Sequence, residues 1–321
     1  MPPSRSVIIT GGTAGLGFFA AREIAKAHPE YLVVLASRND GDGAADKINA
    51  GLHQDNTVYV PLDLSDKARV HKFAEKWASK NHPPIQALLL NAGLQFPGAL
   101  QRNSEGIENT FAISHIGHAL LFHLLCQHFA PNIRVVVTSS GTHDPAKKTG
   151  LPDAVYHSAE ELAHPPAYAV RIPGRQRYST TKLANVLWTY ALNSRLVRHV
   201  PERGITINAF DPGLMPGTGL ARVAVWYQRV LWFYVLPYIM PLLKLLIPNV
   251  HSAEESGQSL ARLAVGKDVE GVSGRYFEGS REIKSSHDSY DESKQEDLWT
   301  WTIDYLSNGS DSEKARFESF A

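Results

Sequence analysis

Tyr178 and Lys182 stand four residues apart in a stretch whose pattern predicts a helix that continues through residue 188. Residues at this spacing lie on one face of a helix, about one turn apart. A phenol has an unperturbed pKa of roughly 10 and a lysine ammonium one of roughly 10.4, so neither exchanges protons readily near neutral pH. A fixed ammonium beside the phenol favours the phenolate and lowers the phenol pKa. Tyr178 is therefore a candidate proton donor and acceptor, provided that the chain builds a nucleotide site in front of it.

The composition of the chain suits one large α/β domain. Its 321 residues are 43% hydrophobic and 20% charged, which is enough for a full core. Basic and acidic residues both number 32, so no global basic field argues for nucleic acid as a partner. Cys126 is the only cysteine and cannot form an internal disulfide, which favours a reducing compartment. The first residues run directly into a strand-like segment and leave no room for a signal peptide, so we expect a cytoplasmic protein.

A short apolar strand at residues 7–10, a glycine-rich turn and a helical pattern from residue 18 follow one another at the start of the chain. In this order, backbone N–H groups and a helix N-terminus receive a pyrophosphate, and the glycines allow close approach. The candidate cofactor-binding residues of the turn are Gly11, Thr13, Gly15, Leu16 and Gly17. An ordinary tight turn is the alternative. A second strand at 32–36 ends about 20 residues past Gly17, where the residue that reads the ribose is expected, and this favours the nucleotide site.

The residues after the second strand indicate which dinucleotide binds. An acidic side chain there would accept hydrogen bonds from the ribose hydroxyls and repel a 2′-phosphate, but this chain has Ser37, Arg38 and Asn39. The guanidinium of Arg38 would pair with that phosphate. We therefore predict NADP(H) rather than NAD(H). The alternative is that Arg38 is only a surface side chain.

Two further strand ends carry candidate cofactor residues. Asp63 and Leu64 follow a third strand, and Asp63 either accepts from the adenine amino group or caps the helix that begins after residue 66. A fourth strand ends in the small residues Asn91, Ala92 and Gly93, which let the backbone pass close to a bound ribose.

Strands and helices alternate along the rest of the chain. We predict a long helix from about Glu105 to Phe129, a fifth strand at 133–138 that ends before Ser139 and Ser140, and a seventh strand near 274–278. This alternation predicts an α/β fold of Rossmann type, a doubly wound parallel sheet of about seven strands with helices on both faces.

Five motifs occur in one order along the chain. They are T-G-x-x-x-G-x-G from Thr10, N-A-G from Asn91, the serine pair after the fifth strand, Y-x-x-x-K from Tyr178, and D-P-G from Asp211. In this order they resemble the short-chain dehydrogenase/reductase superfamily, and the match covers nearly the whole chain. Residues 208–220 and 252–257 look like the branch that contains protochlorophyllide reductases and retinol-dehydrogenase-like enzymes. Chlorophyll chemistry is not inferred, because that branch includes many enzymes of unknown substrate.

The resemblance implies a role for each matching residue. Tyr178 would donate or accept the proton on the substrate oxygen, and Lys182 would lower the tyrosine pKa and hold the nicotinamide ribose. Ser140, the second serine of the pair, would hydrogen-bond the reacting carbonyl or alkoxide. The residues that would bind the nicotinamide end of the cofactor are Gly213, Leu214 and Thr218. Hydride passes directly between nicotinamide and substrate carbon, so the protein supplies position and charge stabilisation.

One position departs from the family pattern. The family usually carries an asparagine directly before H-x-G-H, and this chain has Ser114 before His115 and His118. The family asparagine anchors a water that relays protons to the active-site lysine, and Ser114 would take this catalytic role with a shorter reach and one fewer polar group. Either the relay persists in altered form, which we favour, or the enzyme is slow or inactive. No cysteine or acid completes a metal site beside the two histidines, so we expect structural roles for them and no metal.

An apolar stretch follows Thr218. Its uncharged part is about 14 residues long and contains two prolines, short of the roughly 20 residues that span a bilayer, so no transmembrane helix is expected. In the resembling family this region, about 218–250 here, forms a substrate lid. Three interpretations stay open: a lid over a lipophilic substrate, a packing surface within the chain or in a homo-oligomer, and peripheral membrane contact through about 223–247. We prefer the first.

The sequence thus predicts a single domain over residues 1–321, with a loose tail at about 307–321. We expect an NADP(H)-dependent oxidoreductase of secondary metabolism that interconverts a carbonyl and an alcohol on an apolar small molecule. Two alternatives are kept. One is a reductase of an activated C=C bond, which the resemblance to protochlorophyllide reductases permits, and the other is a catalytically weak NADP(H)-binding regulator, which Ser114 makes conceivable.

Overall fold

A twisted sheet with strand order β3-β2-β1-β4-β5-β6-β7-β8 forms the centre of the computed structural model, which describes residues 2–166, 171–219, 226–247 and 249–320. The strands are β1 (Arg5–Thr10), β2 (Tyr31–Ser37), β3 (Thr57–Pro61), β4 (Ile85–Leu90), β5 (Phe129–Thr138), β6 (Thr206–Asp211), β7 (Tyr276–Glu278) and β8 (Arg281–Ile283). Strands β1 to β7 pair in parallel. The predicted doubly wound α/β fold is confirmed.

Helices cover both faces of this sheet. The α-helices are α1 (Gly15–Ala27), α2 (Ala44–Leu52), α3 (Lys67–Ser79), α4 (Asn109–Phe111), α5 (Gly117–Leu125), α6 (Ala159–Ala163), α7 (Gly174–His199), α8 (Trp226–Val230), α9 (Met240–Leu246), α10 (Ala253–Val265), α11 (Glu292–Leu306) and α12 (Asp311–Ser319). Two π-helical segments occupy Ala112–Ile116 and Leu231–Val235. Short 3-10 turns occur at Cys126–His128, Gly141–His143, Pro145–Lys147, Pro201–Arg203, Lys267–Val269 and His287–Tyr290.

The sheet separates two apolar layers. On one face β1, β2 and β4 pack with α3, α5, α7 and α11, and on the other they pack with α1, α2 and α10. The strands are buried on both faces, which explains their continuous apolar sequence. Helices α1 and α10 approach closely because Gly257 has no side chain, and a Cβ there would lie 2.5 Å from Cβ of Phe19. The carboxyl ends of the parallel strands therefore meet at one edge, beside the switch point where β1 pairs with both β2 and β4.

The predicted helix from Glu105 to Phe129 was wrong at both ends. The buried Glu108 side chain accepts a hydrogen bond from the Phe111 N–H at 2.8 Å and caps the helix start, so the helix begins at Asn109. At its other end the helix closes in a 3-10 turn, and β5 begins at Phe129, four residues before the predicted strand. The apolar residues on both sides of this boundary do not distinguish a buried helix from a buried strand.

The antiparallel strand β8 was not predicted. It pairs with β7, and the two strands are joined by Gly279, whose φ is +56°. Three residues of mixed polarity on the edge of a sheet carry almost no periodic signal, which explains the omission.

The predicted loose tail was also wrong for the residues that the structure describes. Helix α12 begins with the side chain of Ser310 as its cap, and its Phe317 is buried, as is Phe320 beyond it. Both rings pack against the ring of His123 in α5. Two aromatic side chains three residues apart outweigh the polar residues around them, because their burial stabilises the fold by a few kcal/mol.

We expect Phe317→Ala to lower the free energy of unfolding by about 3 kcal/mol or more, because it opens a cavity in the core. Urea denaturation followed by circular dichroism measures this change. Glu318→Ala, on the exposed side of the same helix, is the matched control and should change little. A loss near zero for Phe317→Ala would show that the C-terminal helix does not pack on the core.

Candidate active site

The glycine turn between β1 and α1 forms a cradle of backbone atoms. Gly11 has φ +67°, and a Cβ at Gly17 would overlap the Gly11 carbonyl oxygen, so both positions require glycine. Helix α1 begins at Gly15, and no side chain caps it, which leaves its first N–H groups facing the cleft. Thr13 is half-buried and Leu16 is buried. The turn fits a pyrophosphate, which is bound by such backbone groups and by the positive end of a helix.

Hydrogen bonds join the end of β4 to the end of β1. The Thr10 hydroxyl oxygen accepts hydrogen bonds from the N–H groups of Asn91 and Ala92, at 2.8 and 2.9 Å. The side-chain amide of Asn91 donates to the Thr10 carbonyl at 2.9 Å. Asn91, Ala92 and Gly93 are all half-buried beside the glycine turn, which is where the sequence placed a bound ribose.

The end of β2 carries the residues predicted to select the cofactor. Arg38 and Asn39 are exposed. Within the described ranges, the Arg38 guanidinium forms no ion pair or hydrogen bond. Ser37 has a buried hydroxyl that also lacks a partner among the described residues. A free guanidinium and a free hydroxyl on one edge fit a phosphate group, which accepts charge-assisted hydrogen bonds.

Asp63 does not cap the helix that follows it. It accepts from the Ser65 hydroxyl at 2.7 Å, whereas Asp66 caps α3 by accepting from the N–H groups of its first turn. The capping alternative for Asp63 is therefore wrong. Leu64 is buried, with its carbonyl against the backbone of Gly117 at the start of α5.

The predicted catalytic side chains lie together at the carboxyl edge of the sheet. Helix α7 carries Tyr178 and Lys182, which are 6% and 3% exposed, and the lysine nitrogen lies 5.5 Å from the centre of the tyrosine ring. Lys182 donates to the Thr138 carbonyl at 2.9 Å. A Cβ at Gly93 would lie 3.5 Å from the Lys182 nitrogen and 3.7 Å from the Ser114 hydroxyl. Ser140 is half-buried after β5, its hydroxyl oxygen accepts from the Thr142 N–H at 3.3 Å, and it lowers the pKa of the neighbouring Tyr178.

The expected lowering of the Tyr178 pKa does not occur in this structure. Burial raises the pKa of Tyr178, the nearby carboxylate of Asp211 raises it further, and the hydrogen bond to Ser140 opposes them. Burial lowers the pKa of Lys182 to about 8, and Asp211 opposes that shift. The prediction considered one neighbouring ammonium, whereas loss of water around both groups has the larger effect.

Ser114 lies in the π-helical segment between α4 and α5. Its hydroxyl is buried and has no partner among the described residues. Its carbonyl accepts from Nδ1 of His118 at 3.1 Å. Burial lowers the pKa of His118 to about 3, so this ring is neutral, and its Nε2 lies 2.9 Å from the Thr10 hydroxyl. His115 is also buried, and its Nε2 lies 2.8 Å from the hydroxyl of Thr302 in α11.

The loop after β6 closes the site from the other side. Gly213 has φ +78°, and the Leu214 N–H donates to the Asn249 carbonyl at 2.8 Å. A Cβ at Gly15 would lie 4.0 Å from the methyl group of Thr218. Thr218 of this loop therefore lies next to Gly15 of the glycine turn.

An exposed apolar surface, the lid, extends from this loop over residues 226–247. Hydrogen bonds attach it to the loop, from the Trp232 indole N–H to the Thr218 carbonyl at 2.9 Å and from the Gly217 N–H to the Trp232 carbonyl at 3.0 Å. Lys244 also forms an ion pair with Glu255 of α10 at 2.6 Å. The exposed apolar side chains of the lid are Trp226, Tyr227, Val230, Leu231, Tyr234, Val235, Tyr238, Ile239, Leu242, Leu245 and Ile247. Over the described residues, every helix is too short or too polar to cross a bilayer.

Two buried residues beside the site had no role in the sequence-based prediction. They are Asp211, which the sequence analysis gave only as the start of the D-P-G motif, and His143, to which it assigned nothing. His143 accepts from the Ser286 N–H at 3.0 Å through Nε2, so its Nδ1 carries the proton and donates to the Ser140 carbonyl at 2.8 Å. Asp211 could have been found from the sequence, because it is an acid at the carboxyl end of an apolar strand. The sequence around His143 gave no indication of a role.

This combination of glycine cradle and buried Tyr-Lys-Ser group defines a nicotinamide-dependent oxidoreductase. The family model described as short chain dehydrogenase matches residues 5–156, and the one described as AcuH dehydrogenase domain matches residues 221–314. The chain belongs to the short-chain dehydrogenase/reductase superfamily, as the order of its motifs predicted.

Its relatives include dehydrogenases and an oxidoreductase by name. Polyprenol dehydrogenase of Homo sapiens is 28% identical over 93% of this chain and 84% of its own length. Retinol dehydrogenase 12 of Mus musculus is 26% identical over 95% of this chain and 87% of its own. The WW domain-containing oxidoreductase of Gallus gallus is 31% identical over 91% of this chain, which spans 66% of that protein.

Solved structures share the fold at low identity. An uncharacterized protein from Mycobacterium paratuberculosis superposes with a TM-score of 0.67 at 22% identity, covering 96% of both chains. Levodione reductase gives a TM-score of 0.60 at 18% identity, covering 86% of this chain and 96% of its own. These likenesses support the fold alone.

Proposed function

We propose that this protein is an NADP(H)-dependent oxidoreductase that interconverts a carbonyl and an alcohol on an apolar small molecule, with Tyr178 as the proton donor and acceptor. The observation that carries the proposal is the meeting of Tyr178, Lys182 and Ser140 at one edge of the sheet, beside the glycine cradle. Ser140 lies close enough to Tyr178 to lower its pKa, and we expect the two hydroxyls to bind a single substrate oxygen.

The cofactor, when bound, supplies or accepts the hydride. The glycine turn from Gly11 to Gly17 would hold its pyrophosphate, Arg38 with Ser37 its 2′-phosphate, and Asn91 to Gly93 a ribose. Asp63 and Leu64 would lie at the adenine, and Gly213, Leu214 and Thr218 at the nicotinamide. In the reductive direction the Tyr178 hydroxyl gives its proton to the substrate oxygen, and Ser140 donates a hydrogen bond to the same oxygen.

The apolar lid supports a lipophilic substrate. It lies directly after the loop that would contact the nicotinamide, so its side chains can cover a substrate in front of the reacting carbon. The names of two relatives also support a lipophilic substrate, because polyprenols and retinol are apolar alcohols. Burial of such a substrate against the lid would contribute about 25 cal/mol for each Å² of apolar surface removed from water.

A panel of apolar aldehydes, ketones and enones, with NADPH consumption followed by absorbance, tests the proposed function. Turnover of aldehydes or ketones supports it, and turnover of enones alone supports the alternative of C=C reduction. Cofactor binding without turnover of any class would favour the catalytically weak regulator.

We expect the double variant Leu242→Ser with Leu245→Ser to raise the KM for a long-chain apolar substrate about tenfold or more, because it removes two exposed apolar side chains from the lid. The affinity for NADPH should not change. Val197→Ser, an exposed apolar residue on α7, is the matched control.

The same variant separates the other interpretations of the lid. In our proposal the protein is cytoplasmic, and peripheral membrane contact or homo-oligomers remain alternatives. An unchanged KM with lost binding to phosphatidylcholine vesicles would mean that the lid meets a membrane surface instead. An unchanged KM with a smaller sedimentation coefficient would mean that it joins two copies of the chain.

A further inference from the structure

Asp211 is a carboxylate buried at the carboxyl end of β6, with 1% of its surface exposed. Its Oδ1 accepts the Gly213 N–H at 2.9 Å, and its Oδ2 accepts the side-chain amide of Asn249 at 2.9 Å. Gly141 also packs against Oδ2, since a Cβ at this glycine would lie 3.0 Å from that oxygen. The side chain thus links the turn after Ser140, the loop after β6 and the segment after the lid.

The contacts of Asp211 favour its charged form. The Gly213 N–H and the Asn249 amide donate to the two carboxyl oxygens, one to each, so a proton on either oxygen would compete with a donor. Burial raises the pKa of Asp211, and the backbone N–H groups of Gly213 and Gly141 oppose that shift. A carboxylate that accepts several such hydrogen bonds keeps its charge even when water is excluded.

The other charged and titratable groups around Asp211 leave its charge uncompensated. Glu278 in β7 is held by Lys147 and Arg281, each at 2.7 Å. His143 is neutral in the tautomer that its hydrogen bonds fix, and the Tyr276 hydroxyl lies 3.5 Å from its protonated Nδ1. Asp211 forms no ion pair with any described residue. It follows Phe210, which pairs with Thr138 in β5, and the Thr138 carbonyl accepts from the buried ammonium of Lys182, so the carboxylate and the ammonium lie at neighbouring strand ends.

We propose that Asp211 is a positioning residue for the reaction. Its carboxylate holds the loop at Gly213 against the turn after Ser140, and its negative charge lies at the strand end next to Thr138, whose carbonyl binds the Lys182 ammonium. This inference rests on the proposed function. It adds a buried carboxylate, from the D-P-G motif, to the tyrosine and lysine of the site.

The sign of the effect is the same for both groups. Removal of a negative charge makes a phenolate easier to form and an ammonium harder to keep, so the pKa values of Tyr178 and Lys182 both fall. Carbonyl reduction needs the protonated phenol. The alkaline limb of kcat/KM for reduction in Asp211→Asn should therefore move to lower pH.

Glu278→Gln is the matched control. It removes a second buried carboxylate from the same region, but one that its own cations compensate and whose charge does not act on Tyr178 or Lys182. The alkaline limb of kcat/KM in Glu278→Gln should lie at the same pH as in the unmodified protein. Asp211→Ser is a second variant that removes the charge, and it replaces Asp211→Asn if the latter does not fold.

A second measurement does not need a substrate. Lys182 should titrate near pH 8, and ¹³C NMR of ε-labelled lysine follows it, with Lys182→Arg identifying the signal. A lower titration midpoint of Lys182 in Asp211→Asn supports the inference, even if the substrate panel shows no turnover. In that case only the proposed function fails. The inference is overturned if Asp211→Asn lowers kcat/KM equally at every pH, while the alkaline limb and the titration midpoint of Lys182 stay where they are in the unmodified protein.

Discussion

Tyr178→Phe should lower kcat/KM by about 10²- to 10⁴-fold, the range that a positioned acid or base contributes. The substitution removes one oxygen from a buried ring and keeps the ring in place, so the packing of α7 is preserved. The dissociation constant for NADPH should stay nearly unchanged, because the cradle and the Arg38 edge lie on other elements. Initial rates at saturating NADPH and a fluorescence titration of NADPH measure the two quantities.

Tyr190→Phe on the same helix is the control for this experiment. Its hydroxyl bonds to Ser285 at 2.6 Å, three turns along α7 from Tyr178 and outside the predicted site. The control should therefore keep most of the turnover. Undiminished turnover in Tyr178→Phe would exclude the tyrosine as the proton donor.

Arg38→Ser should weaken NADPH binding by about ten- to a hundredfold, since a hydrogen bond to a charged group is worth about 1.5–3 kcal/mol. The guanidinium is exposed and is free of partners in the described part of the chain, so its loss disturbs no other contact. The dissociation constant for NADH, which lacks the 2′-phosphate, should change little. Isothermal titration with each dinucleotide checks both expectations.

Arg198→Ser removes the same charge from the far end of α7 and is the control for the change in net charge. The difference between the two variants should shrink as salt is added, because screening weakens an exposed phosphate contact. If the unmodified protein binds NADH as tightly as NADPH, the assignment of NADP(H) is wrong.

Most of the fold followed from local patterns in the sequence. The strand ends at Thr10, Ser37, Leu90 and Thr138 stand where apolar runs give way to glycine, serine or asparagine. Because parallel strands share one edge, these four ends had to meet, and the candidate site residues came together with them. The order of five motifs, each weak by itself, indicated the superfamily, and the comparisons support that assignment.

The direction of the pKa shift of Tyr178 could not be predicted from the sequence. The spacing of Tyr178 and Lys182 suggested an ammonium against the phenol, but in the structure that ammonium donates to the Thr138 carbonyl. The carboxylate that acts on both groups, Asp211, lies about 30 positions away along the chain. Burial and long-range charge depend on how several elements pack, which no local spacing encodes.

The distribution of tryptophan provides an optical consequence of the exposed lid. Trp226 is 76% exposed, whereas Trp188 and Trp299 are buried in the core. An indole in water emits at longer wavelength than one in an apolar interior and is open to collisional quenchers such as acrylamide. A blue shift and slower quenching on addition of a ligand, vesicles or a second copy would therefore report directly on coverage of the lid, without any label.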